Sequence, residues 1–136
     1  MEEYILVFAL LIVITFLSLH VLHTHDLKPR IDTLSIHLAI VEAISSPINE
    51  VLVIVVIPRD TFVIFKENTI TVIGDIVDPR ILAFNNSVLR GLSERMICYD
   101  PSKVWFVEKV VLYKTSVIKL VNRFGRIKVI PVGGMG

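Results

Sequence analysis

Residues Tyr4–Leu22 read YILVFALLIVITFLSLHVL, nineteen positions of which only Thr15, Ser18 and His20 are polar. Coiled as an α-helix, a stretch of this length is about 28 Å long, close to the hydrocarbon thickness of a bilayer. It predicts one N-terminal transmembrane helix, and no later stretch looks like a second span. The expected fold class is therefore α+β: a long N-terminal transmembrane or amphipathic helix followed by a small antiparallel β-sheet or β-sandwich domain.

The flanks of this stretch refine the expectation. Glu2 and Glu3 stand where a secretory signal peptide carries Lys or Arg, and the apolar run is longer than an ordinary signal core of about 7–15 residues. The residues that follow, HTHDLKPR (23–30), offer no small-x-small cleavage site. The helix is expected to be retained. Pro29 lacks the N–H that an α-helix needs, so it separates this helix from the next. Lys28 and Arg30 follow the span, and the positive-inside rule taken alone places the rest of the chain in the cytoplasm.

Further out lies IDTLSIHLAIVEAI (31–44). Helical spacing sorts it into two apolar stripes, Ile31, Leu34, Leu38 and Val41 on one side, and Ile36, Ile40, Ala43 and Ile44 on the other. A helix apolar on two sides must be buried on two sides. One stripe is expected to cover the chain's own sheet and the other to form a second contact layer with neighbouring copies. Ser45-Ser46-Pro47 is a helix stop, which divides the chain into residues 1–46, helical, and 47–136, β-rich.

From Val51 the texture is that of strands: β-branched runs at 51–57, 61–65 and 69–73, broken by Pro58-Arg59-Asp60 and by Lys66-Glu67-Asn68. Asp100-Pro101-Ser102 opens another β stretch, 104–114. Residues 116–121 and 126–130 then form a hairpin around Asn122-Arg123-Phe124-Gly125, with Gly125 free to take a positive φ. Trp105 and Phe106 are adjacent, so a strand turns them to opposite faces.

Composition narrows the function classes. The chain has 136 residues, 54% of them hydrophobic, with a mean hydropathy of +0.73 and a net charge of +1. A near-neutral total gives no general attraction to nucleic acid. The charge is uneven: from Lys103 onward seven basic residues (Lys103, Lys109, Lys114, Lys119, Arg123, Arg126, Lys128) face Glu108 alone, a local +6 that leaves −5 for everything before it. These are read as solvent-side residues of alternating strands, with no nucleic-acid partner and no small-molecule substrate. Cys98 is alone, which excludes an internal disulfide and a thiolate cluster; it is read as a small buried apolar residue. His20, His23, His25 and His37 lack a completing carboxylate or thiol at a ligand spacing and are read as interfacial histidines, so no metal or other cofactor is expected. Neither a Gly-rich phosphate loop nor a nucleophile elbow is present. The chain is not read as an enzyme. Asn85-Asn86-Ser87 is a glycosylation sequon, so Asn85 would carry a glycan if the domain faces outward.

This layout of apolar helix, continuation helix and compact β domain resembles archaeal type IV pilin-like proteins. The junction SSPINEVLVIVVIP (45–58) with TFVIFKENTITVIGD (61–75) is similar to the helix-to-β transition and first hairpin of that group, and WFVEKVVLYKTSVIKLVNRFGRIKVIPV (105–132) to its closing strands. A basic leader ahead of the apolar stretch is the departure, since only Met1, Glu2 and Glu3 precede Tyr4. The resemblance implies a structural subunit of an extracellular type IV pilus-like filament that assembles through Tyr4, Leu6, Phe8, Leu11, Ile12, Ile14, Phe16 and Leu19. Its partners would be itself or related pilin-like subunits, with the cell membrane as its place before assembly. The alternative is a single-span membrane-anchored accessory protein whose β domain binds a surface-layer, archaellum or secretion partner.

Overall fold

The computed structural model describes residues 2–26, 30–84 and 87–134, with side chains omitted at 19–26 and 134. Two helices, α1 (Glu2–Asp26) and α2 (Thr33–Ala43), precede eight strands: β1 (Ile48–Val55), β2 (Phe62–Glu67), β3 (Thr69–Ile73), β4 (Leu89–Leu92), β5 (Met96–Tyr99), β6 (Trp105–Leu112), β7 (Ser116–Arg123) and β8 (Arg126–Gly134). A short 3-10 turn, Pro79–Ala83, follows β3.

All eight strands join one curled, half-barrel sheet in the order β1-β7-β8-β6-β2-β3-β5-β4. The protein is thus mostly β. This corrects the expected fold class of a long helix carrying a small antiparallel sheet or sandwich. The reason is a pairing that local patterns cannot show. β1 does not pair with β2, its neighbour in sequence, but antiparallel with β7, from Ile48 opposite Arg123 to Val55 opposite Ser116. β8 then returns between β7 and β6, antiparallel to the first and parallel to the second through Trp105–Arg126 and Phe106–Ile127. The sheet is mixed, and it merges the two candidate hairpins into one layer.

The transmembrane reading is corrected as well: among the described residues no helix is long and apolar enough to cross a membrane.

α2 lies on the inner face of β1 and β7. Its start is capped by Asp32, whose carboxylate accepts the Ser35 N–H at 3.0 Å and the Ser35 hydroxyl at 2.6 Å, satisfying donors that the first turn leaves unpaired. Ile36, Ile40 and Ala43 are buried with Val55, Ile118, Leu120 and Ile127 in one core. On β7 the alternation is strict: Ser116, Ile118, Leu120 and Asn122 point inward, while Val117, Lys119 and Val121 are half-buried on the outer face. The Trp105–Phe106 pair divides the same way. Phe106 is buried edge-on against Phe65, with ring centroids 5.3 Å apart, and Trp105 is exposed.

Candidate functional site

Two surfaces stand out because the fold leaves them without partners. The first is α1. Tyr4, Leu6, Phe8, Leu11, Ile12, Ile14 and Phe16 lie between 43% (Ile12) and 80% (Tyr4) exposed. Residues on every side of the helix behave alike; Ile5, Val7, Leu10, Val13 and Leu17 are also exposed. The Thr15 hydroxyl is satisfied within the helix by the Leu11 carbonyl at 2.8 Å. A helix that is apolar all round belongs in an apolar environment, and α1 takes no part in the main packing contacts of the sheet or of α2. The Leu19 side chain lies outside the described residues.

The expected second contact layer is divided by the structure. Ile31 is buried in the fold, its N–H donating to Asp75 Oδ2 at 2.8 Å. Leu34 and Val41 are half-buried, and Leu38 is 41% exposed. Asn85 lies outside the described residues, as do the side chains of His20, His23 and His25. Among the described residues no three His, Cys, Asp or Glu side chains gather as metal ligands.

The second surface is a groove of about 510 Å³ on the outer face of β1, β7, β8 and β6, lined by Glu50, Lys119, Arg123, Arg126, Lys128 and the apolar Val107, Val121 and Ile130. Four of the seven C-terminal basic residues converge here because alternation puts them on one face and the β7–β8 register aligns them. Arg123 stands directly opposite Arg126, and Val121 opposite Lys128. Glu50 pairs with Lys119 at 3.0 Å. Arg123, Arg126 and Lys128 make no ion pair among the described residues. Like charges directly opposite on a sheet oppose pairing, so this end of the groove holds an uncompensated positive field.

The turn at this end is also unusual. Phe124 and Gly125 both have positive φ (56° and 86°), the signature of a two-residue hairpin turn whose twist matches the strands. Gly125 suits the second position because a Cβ there would come within 2.9 Å of the Lys103 carbonyl. Phe124 does not suit the first: a bulky residue at positive φ is strained. The turn holds because Asn122, 1% exposed, ties it down. Its amide donates to the Ala43 carbonyl at 3.0 Å and the Ser46 carbonyl at 2.9 Å, and its oxygen accepts the Gly125 N–H at 2.9 Å. The Phe124 N–H donates to the Pro47 carbonyl at 2.7 Å. The ring is left 77% exposed, in a separate depression with Trp105 and Arg126 next to the groove's Arg123 end. The sequence reading gave Phe124 no place of its own and did not anticipate its positive φ. Its signal was a Phe at a turn position where Asn or Gly is the ordinary choice.

The interior holds one titratable pair. His37 is fully buried and stacks on Tyr99, with ring centroids 5.7 Å apart. His37 Nε2 lies 3.1 Å from the Phe84 carbonyl, which can only accept, so Nε2 carries the proton and Nδ1 accepts from the Tyr99 hydroxyl at 2.9 Å. Burial lowers the His37 pKa below its ordinary value, partly offset by the bond to Phe84, and burial pushes the Tyr99 hydroxyl up. Both therefore stay neutral, in the states their hydrogen bonds need. The pair joins α2 to β5.

No protein-family model matches the chain, and no curated protein or solved structure matches it.

Proposed function

We propose that this protein is a structural subunit of a type IV pilus-like filament and assembles through α1. One observation carries the reading: an apolar helix exposed on every side, Tyr4 to Leu17, attached to a well-packed β domain that does not cover it. Removing apolar area from water releases about 25 cal/mol per Å², so a surface of this kind drives association with other apolar surface. Neighbouring copies offer the same helix at the same concentration. The resemblance of the layout to archaeal type IV pilin-like proteins supports a filament over a closed oligomer.

The test is sedimentation of the full chain in detergent-free buffer, with electron microscopy of the pellet. The wild type is expected to form polymers, and Leu11→Arg, which puts a charge into the association surface, to stay in the supernatant with its β domain folded. A wild type that remains monomeric at all concentrations would overturn the reading.

A further inference from the structure

We infer that the basic groove on the outer sheet face is the docking site for the acidic head of α1 from a second copy of this chain. The inference rests on the assembly reading above and names the surface that receives the helix.

The two unpartnered surfaces of the molecule are complementary. α1 opens with Glu2 and Glu3 in its first turn and continues as uninterrupted apolar surface. The groove presents Arg123, Arg126 and Lys128 without an acidic partner among the described residues, over an apolar floor of Val121 and Ile130. In the turn that joins Arg123 to Arg126, Phe124 is held out at positive φ by the buried Asn122. Glu2 and Glu3 carry two negative charges. The positive end of the helix dipole, worth roughly half a charge, offsets part of them and leaves a net negative head. Charge meets charge at the head, and apolar side chains meet the groove floor and Phe124 behind it.

The same pairing accounts for three features that the isolated fold leaves uncompensated. Arg123 and Arg126 face each other across β7 and β8 with no ion pair among the described residues, Phe124 is strained and exposed, and the side chains at the beginning of α1 are exposed. Within one molecule each is a cost. Between two copies each becomes a contact. The interface is heterologous, a head on one copy and a groove on the next, and such contacts propagate into open filaments when the rotation between copies does not close a ring.

A charge swap tests it, read as the critical concentration for polymerisation of the full chain. Arg126→Glu with Lys128→Glu is expected to raise that concentration about tenfold or more, the size of a lost pair of close interfacial charges. Glu2→Lys with Glu3→Lys, changed outside the β fold, is expected to raise it similarly. The four changes together are expected to restore assembly to near the wild-type value. Wild-type assembly by either double variant would overturn the inference and leave assembly through α1 standing. Loss in the groove variant without rescue by the lysine pair would assign the groove to a different acidic partner and overturn it too. Failure of the wild type to polymerise would remove the underlying reading as well.

Discussion

α1 and α2 are both strongly apolar helices, yet the structure treats them oppositely. α2 buries Ile36, Ile40 and Ala43 against β1 and β7, and polar groups pin it in place: Asp32 caps its start, His37 bonds Tyr99 and Phe84, and the Asn122 amide donates to its last carbonyl, that of Ala43. α1 is left exposed on every side. Apolar content alone therefore does not decide burial within one chain. Polar groups at specific α2 positions have partners elsewhere in the fold, whereas among the described α1 side chains the Thr15 hydroxyl is satisfied within the helix itself.

The contrast can be broken most forcefully at Ile40, which is fully buried. Ile40→Ala should cost about 2–5 kcal/mol, the transfer energy of the lost atoms plus the cavity they leave. Urea unfolding followed by the fluorescence of Trp105, the lone tryptophan, would measure it. A cost under 1 kcal/mol would mean that α2 is not integral to the core.

Asn122→Ala comes next. It leaves the Ala43 and Ser46 carbonyls and the Gly125 N–H without their buried partner, at about 1–3 kcal/mol. It should also free the Phe124–Gly125 turn, seen as faster amide exchange at those two residues. Unchanged exchange would show that the strands alone hold the turn.

The His37–Tyr99 contact gives a pH dependence of smaller size. The folded pKa of His37 is lowered, so below about pH 6.5 the unfolded chain takes up the proton before the folded one does. Stability is then complete above that pH and declines as pH falls toward the native value. The urea midpoint should drop between pH 7 and pH 5, and His37→Gln should flatten the drop. An equal drop in that variant would place the titration elsewhere.

The smallest effect on the fold is expected at Leu11. Leu11→Ala should leave the β-domain midpoint unchanged within about 0.5 kcal/mol, as for an exposed position, while weakening assembly. A large destabilisation would mean that α1 packs on its own domain, and the contrast between the helices would vanish.

Much of this organisation is visible in local patterns. The 3.6-residue spacing of Ile36, Ile40 and Ala43 and the Ser45-Ser46-Pro47 stop mark a helix at 31–44, and the structure has α2 at Thr33–Ala43, its start capped by Asp32, which the sequence reading did not pick out. The alternation at 116–121 marks a strand, and Gly125 a tight turn, because the side-chain direction in a strand and the φ of a turn are properties of a few adjacent residues. The apolar character of Tyr4–Leu17 is equally local. That it is left exposed by a mostly β protein is not.

Partners far apart in the chain required the tertiary structure. β1 found β7 rather than β2, and β8 inserted beside β6, because strand pairing depends on which faces bury together and not on proximity in sequence. The groove follows from that choice. Lys119, Arg123, Arg126 and Lys128 are scattered charges in the sequence and one positive surface in the fold, since only the β7–β8 register sets Arg123 against Arg126. The sequence alone determined which segments are apolar and how each repeats. The tertiary structure decided which apolar faces are covered by the chain itself and which are left for another molecule, because burial is settled by contacts between segments and not within them.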